Sequence, residues 1–171
     1  MVNISKFVSA CGTNEVIEVR RMISEGVDIN GVDSYGYTGL MMAMYKGNTE
    51  VSRILLSCNN IKIDIKNNIG WTALHYACTN NRIESVKLFL EHPTCNKDIV
   101  RIEDNYGKTA ELLADRKGNK ECVKLIREYL ENSDDREITG AVKDARSVDD
   151  LVEFITRLET EKRKKNNIII T

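Results

Sequence analysis

The chain has 171 residues, with 25 Lys and Arg against 26 Asp and Glu and a single proline. Apolar residues at 42% and charged residues at 30% exclude wholesale disorder, collagen-like repetition and low-complexity tracts, and a net charge of −1 argues against a nucleic-acid binder that relies on bulk positive charge. The length suits one domain, or one domain with an appendage, and is enough to bury a sizeable core.

A repeat every 34 to 37 residues organises the chain. The first copy is SACGTNEVIEVRRMISEGVDIN, from Ser9 to Asn30. It is followed by GYTGLMMAMYKGNTEVSRILL from Gly36, GWTALHYACTNNRIESVKLFL from Gly70 and GKTAELLADRKGNKECVKLIR from Gly107. In register, Ala10, Ala43, Ala77 and Ala114 coincide, as do Met22, Leu55, Phe89 and Ile126. Each copy reads as two short helices. Thr38, Thr72 and Thr109 stand where a hydroxyl caps the first helix, and Gly47 and Gly118 break the chain before the second. Between copies lies an alternating stretch, such as IKIDIKNNIG, that suits an extended finger with a turn at its tip. Helices this short persist only by stacking on their neighbours.

Beyond Leu130 the pattern changes. Asn132 to Asp135 predict a polar break, residues 136–145 a helix, and Ser147 to Asp150 a capping box opening another. In that last helix Leu151, Phe154, Ile155 and Leu158 share one apolar face. This pair, 132–165, is expected to pack on the last copy as a further cap or a degenerate fifth repeat; the alternative is a helix that docks on another chain. Residues 166–171, with three consecutive isoleucines, read as a frayed tail or a cut inside a longer protein.

The third copy carries the family signal. Gly70-Trp71-Thr72-Ala73-Leu74-His75-Tyr76-Ala77 resembles the Gly-x-Thr-Pro-Leu-His-x-Ala opening of ankyrin repeats, with alanine in place of proline. Gly26-Val27-Asp28-Ile29-Asn30 is similar to the family's Gly-Ala-Asp-Val-Asn ending. The resemblance covers residues 4–131, with repeats at about 4–35, 36–69, 70–106 and 107–131 of a domain spanning 1–131. It implies an all-α solenoid of helix-turn-helix units with extended finger loops, and a non-catalytic interaction module without cofactor or metal. Copies one and four are more polar, with Arg21, Glu111 and Asp115 at positions that are apolar elsewhere, as capping repeats require.

Chemistry-bearing residues are few. The resemblance implies that His75 is a structural hydrogen-bonder between repeats, and Met41 and Leu112 in its register argue against catalysis. His92 with Cys58 and Cys95 is too sparse for a tetrahedral zinc site. Five cysteines, odd in number and without Cys-x-x-Cys spacing, predict reduced thiols, with Cys11 and Cys78 facing the core. No phosphate-binding glycine loop occurs, and Lys162 to Lys165 read as a solvated helix end. The N-terminus has no apolar h-region, and no run approaches the ~20 apolar residues of a membrane span. A cytoplasmic protein, or a nuclear one, is therefore expected.

What the resemblance does single out is the variable face of fingers and first helices, which in this family lines a concave, partner-binding surface. Mapped here it comprises Ser34, Tyr35, Tyr37, Tyr45 and Lys46 in copy two and Asn68, Ile69, Trp71, Thr79 and Asn80 in copy three. Copy four adds Asn105, Tyr106, Lys108, Arg116 and Lys117. Half of the chain's ten aromatic residues fall in this set, and its cations predict a locally acidic protein partner, with no role for nucleic acid or membrane. The alternative is a regulatory segment of a larger enzyme, kinase or channel. Gly39, Ala73 and Ala110 replace the family's proline at the first helical position. Because Gly39 costs roughly 1 kcal/mol against alanine in a helix, copy two is predicted to be the softest.

Overall fold

The computed structural model describes residues 3–144, with backbone alone over 133–144, together with Ser147, Asp149, Val152, Glu153, 155–157 and Thr160. The chain divides into two compact units, Met1–Leu130 and Glu131–Thr171. In the first unit the helices come in pairs: α1 (Ile4–Gly12) with α2 (Val16–Ser24), α3 (Gly39–Lys46) with α4 (Thr49–Leu56), and α5 (Ala73–Thr79) with α6 (Ile83–Leu90). A single turn, α7 (Lys97–Val100), precedes α8 (Ala110–Arg116) and the start of α9 (Lys120–Asp144). Among the described residues there is no β-strand, only two isolated bridges, Val32 with Thr38 and Glu103 with Thr109. The all-α solenoid expected from the sequence is the architecture observed.

Local chemistry sets the helix ends. Thr38 Oγ1 accepts from the Met41 amide at 3.1 Å, and Thr109 Oγ1 from Leu112 at 3.2 Å. Each hydroxyl thus satisfies one of the orphan donors of a first turn. The turn between paired helices needs a left-handed residue. Gly47 and Gly118 supply it at φ +77° and +74°, and Asn14 and Asn81 do so at +63° and +54° in the same register. Asparagine tolerates that region, which is why two copies manage without glycine.

First helices pack on first helices, α1 on α3, α3 on α5 and α5 on α8, while α2 packs on α4 and α4 on α6. The register alanines, Ala10, Ala43, Ala77 and Ala114, are at most 3% exposed and let these backbones approach closely. Met22, Leu55, Phe89 and Ile126 fill the second layer at no more than 1% exposure. Each such side chain contributes roughly 1.5–3 kcal/mol by leaving water. Polar side chains then tie copy to copy. Asn48 Nδ2 donates to the carbonyls of Cys11 and Gly12 at 2.8 and 2.9 Å, and Asn119 Nδ2 to those of Cys78 and Thr79 at 2.8 and 3.1 Å. Arg82 Nε reaches the Tyr45 carbonyl at 3.1 Å. Carbonyls at the ends of α1, α3 and α5 are thereby satisfied by the following copy.

Three features differ from expectation. The lengthened 37-residue spacing is not an irregular loop alone: Asn96 Oδ1 caps Ile99 at 3.0 Å and nucleates α7. That turn brings Val100 into the buried register of Ile29 and Ile63. Secondly, α9 runs unbroken through Asn132 to Asp135, where a break was predicted. No glycine or proline stands between Lys120 and Thr139, so nothing stops the helix. Residues Leu151, Phe154 and Leu158 of the predicted apolar face, Lys162 to Lys165 and the tail 166–171 lie outside the described residues, while Ile155 is 52% exposed.

Thirdly, Gly39 has a packing reason. A Cβ there would stand 2.8 Å from Cys11 Sγ and 3.0 Å from Phe7 Cε1, both fully buried. Helix propensity alone predicts that Gly39→Ala stabilises copy two by about 1 kcal/mol. The packing predicts the opposite, a loss of about 1–3 kcal/mol from overfilling. Urea unfolding of the variant beside the wild type decides the sign.

Candidate partner-binding face

Every finger tip is built from the same device. In the turns Asp33–Gly36, Asn67–Gly70 and Asp104–Gly107 the glycine amide closes on the first residue's carbonyl at 3.0, 2.9 and 3.1 Å. The first residue's side chain locks the turn from inside. Asp33 Oδ1 accepts from the amides of Tyr35 and Tyr37, both at 2.9 Å. Asn67 Oδ1 does so from Ile69 and Trp71 at 3.2 and 2.9 Å, and Asp104 Oδ1 from Tyr106 and Lys108 at 2.8 and 2.9 Å. Such Asx geometry fixes a turn without neighbours. The glycine then allows neighbouring fingers to touch: at Gly70, φ +83°, an added Cβ would lie 2.6 Å from the Asn105 amide nitrogen. That amide donates to the Ile69 carbonyl at 3.1 Å, and Asn105 Nδ2 donates to the Asn68 carbonyl at 3.0 Å.

The fixed tips present Tyr35, Ile69 and Tyr106 at 69%, 42% and 75% exposure. Behind them the residue after each glycine is Tyr37, Trp71 or Lys108. The Trp71 indole is pinned, its Nε1 donating to Asp104 Oδ2 at 3.1 Å. Around it forms an aromatic floor whose hub is Tyr76. Ring centroids lie 5.7 Å from Tyr76 for Tyr37, 5.7 Å for Tyr45 and 4.9 Å for Trp71, all edge-to-face. Edge-to-face pairs at such distances add roughly 0.5–1.5 kcal/mol each beyond buried area. Tyr35 joins through Tyr37 at 6.3 Å, and the Lys46 ammonium sits 4.9 Å from the Tyr45 centroid.

Sequence reasoning left Tyr76 out of this set. It is 8% exposed, as a residue packed between helices should be, yet it is the ring on which the others converge. Its hydroxyl accepts from Asn67 Nδ2 at 2.8 Å, so one carboxamide holds both the finger turn and the floor. Burial, together with the contact to Tyr37, raises the Tyr76 phenol well above its ordinary range. The signal for Tyr76 was its position next to His75, aligned with Met42 and Leu113.

Other predicted residues fall differently. Ser34, Asn68, Arg116 and Lys117 are exposed. Asn80 Nδ2 donates to the Tyr76 carbonyl at 2.8 Å, Asn105 holds the neighbouring finger, and the Thr79 hydroxyl is buried. Asn80 and Asn105 serve the scaffold through their side chains, and Thr79 through its carbonyl, which accepts from Asn119. Tyr106, Arg116 and Lys117 stand apart from the aromatic cluster, one copy further along the stack.

Titratable groups behave as structural ones. Burial pushes Cys11 up to about 12, while the hydrogen bond with Cys122 and then burial raise the Cys78 thiol well above its ordinary value. Burial also acts on the Asp104 carboxyl, but the amides of Lys108 and Tyr106 and the Trp71 indole outweigh it and lower the pKa. Among the described residues no three His, Cys, Asp or Glu side chains converge as metal ligands, and His92 Nδ1 lies 2.9 Å from Thr94 Oγ1. No helix of the described residues is long and apolar enough to cross a membrane.

Paired helices of seven to nine residues, stacked copy on copy with rigid fingers on one side, define a helix-turn-helix repeat solenoid. A profile described as ankyrin repeats (3 copies) matches residues 59–137, and one described as ankyrin repeats (many copies) matches 22–77. YahD of Escherichia coli (strain K12), an ankyrin repeat protein by name, is 29% identical over 128 residues, covering 72% of this chain and 62% of that protein. A similarly named protein of Rickettsia bellii (strain RML369-C) is 38% identical over 66 residues, 39% of this chain and 68% of that one. The E3 ubiquitin-protein ligase XBAT33 of Arabidopsis thaliana is 35% identical over 86 residues, 49% of this chain and 16% of the ligase. The chain belongs to the ankyrin-repeat family.

His75 links two of its repeats. Nδ1 accepts from the Thr72 amide at 3.1 Å within a capping box, which leaves Nε2–H to donate to the Lys108 carbonyl of the next copy, 3.2 Å away. Burial lowers its pKa, so the imidazole is neutral when folded. A second proton on Nδ1 would face the Thr72 amide. The unfolded state therefore binds a proton first, and His75 contributes stability that is full above the ordinary imidazole value of about 6.5. That contribution is lost as pH falls through the lower folded value. Denaturation midpoints measured across this range should fall with acidification in the wild type and fall less steeply in His75→Gln.

Proposed function

We propose that this chain is a non-catalytic interaction module that grips a partner protein on the concave face of its fingers and first helices. The observation that carries this is the aromatic floor of Tyr37, Tyr45, Trp71 and Tyr76, three of whose rings remain half-exposed between rigid finger tips. Large rings held in place bury area at small entropic cost, and such residues dominate binding hot spots. Ankyrin repeats are, as a family, protein-binding modules, and among the described residues no three His, Cys, Asp or Glu side chains converge as metal ligands to compete with this reading.

Affinity capture from the native lysate, wild type beside Tyr37→Ala/Trp71→Ala, tests it. Losing both rings should weaken capture of the partner by more than ~2 kcal/mol while the helical circular-dichroism signal persists. Because Trp71 also holds Asp104, Tyr35→Ala with Tyr106→Ala, at exposed tips, serves as a second variant. Equal capture by both double variants and the wild type would sink the assignment of this face.

A second reading has one observation behind it: the matched segment forms only 16% of a ubiquitin ligase. In that reading the repeats are the substrate-recruiting or regulatory part of a longer enzyme. Immunoblotting of the native source would then show a protein much larger than this chain.

A further inference from the structure

The face proposed above changes character along the stack. Aligned by register, one column reads Tyr37, Trp71, Lys108 and a second reads Tyr45, Thr79, Arg116, so both pass from aromatic to cationic between copies two and four. Lys117 extends the cationic end and is exposed, as Arg116 is. Among the described residues neither is in an ion pair with a carboxylate. Of the acidic residues nearby, Glu111 and Asp104 have partners of their own and Asp115 is exposed. Glu111 and Asp115 of α8 stand in the registers of core residues Leu74 and Cys78, and Glu111 is paired with Arg127 Nε at 2.7 Å. Asp104 is taken up by two amides of its own finger and by the Trp71 indole of the preceding copy.

We infer that the partner segment is bipartite: an apolar or aromatic anchor that seats on the floor around Tyr76, followed by carboxylates that meet Arg116 and Lys117. This rests on the reading that the finger and first-helix face is where a partner binds. The geometry also sets the spacing. Tyr76 lies on α5 and Arg116 on α8, directly packed helices, and packed helices lie roughly 8–10 Å apart. An extended chain advances about 3.3 Å per residue, so anchor and acid are about three residues apart. Charge complementarity of this sort suppresses wrong partners and speeds encounter, whereas the anchor supplies residence time.

Rhodamine-labelled glycine-serine peptides with one leucine anchor provide the probe. A Glu-Glu pair is placed beside the anchor, about three residues from it, or about seven residues from it. Fluorescence polarisation with the whole chain should favour the three-residue spacing by about tenfold over its Gln-Gln counterpart. Arg116→Glu/Lys117→Glu, two exposed positions, should remove that preference and transfer it to a Lys-Lys peptide. Binding that ignores the acid, that prefers another spacing, or that is absent from every peptide overturns the inference. The two readings fail separately. If the Tyr37/Trp71 variant still loses the native partner while peptides show no acid preference, the face stands and the bipartite partner falls.

Discussion

Helices of seven to nine residues do not persist in water alone, because nucleating a turn costs more than so few hydrogen bonds return. Every paired helix between Ile4 and Arg116 therefore depends on surface that another helix covers. Apolar burial supplies the magnitude, through the alanine column and the Met22–Leu55–Phe89–Ile126 layer. Direction comes from polar reach. Asn48, Arg82 and Asn119 each close carbonyls left open by the helix before them, so a copy completes its predecessor. Stability in such an array is a sum of nearest-neighbour terms rather than the property of one central core.

The same dependence builds the face. A finger turn is locked by its own Asx side chain, yet its position relative to the next finger is set across the copy boundary by Asn105 and by the close approach at Gly70. The aromatic floor lies over the boundary between copies two and three, with Tyr37 and Tyr45 from one and Trp71 and Tyr76 from the other. Asn67 joins the two roles in one residue, holding its turn through Oδ1 and the Tyr76 hydroxyl through Nδ2. Recognition surface and structural seam are built from the same atoms.

Much of this was legible in the sequence, for a definite reason. Repetition lets four copies vote on each position, so the threonine caps and the glycine breaks emerge from register alone, while the inter-repeat role of His75 comes from the family resemblance. The Asx residues Asp33, Asn67 and Asp104, three places before each finger glycine, carried a readable signal that attention to the variable positions passed over. Tyr76 and Gly39 were not readable in this way. Each departs from its own column, and the reason lies in contacts from a different copy: Tyr37 and Tyr45 against the one, Cys11 and Phe7 against the other. The continuity of α9 was misjudged because polar residues at Asn132 to Asp135 resemble a cap when no terminator is demanded. The candidate face was legible as a list of positions. Which of them the scaffold uses, as it does Thr79, Asn80 and Asn105, is a three-dimensional fact.

Trp71 is the chain's one tryptophan, and its indole is hydrogen-bonded to an aspartate of the following repeat. Its fluorescence is therefore an optical gauge of a single junction, between the third and fourth copies. In a linear array that can open from an end, emission and far-ultraviolet ellipticity need not change together. Fraying of the fourth repeat would break the indole's hydrogen bond to Asp104 while most helices remain, so the native fluorophore dates the first break in the stack without any label being introduced.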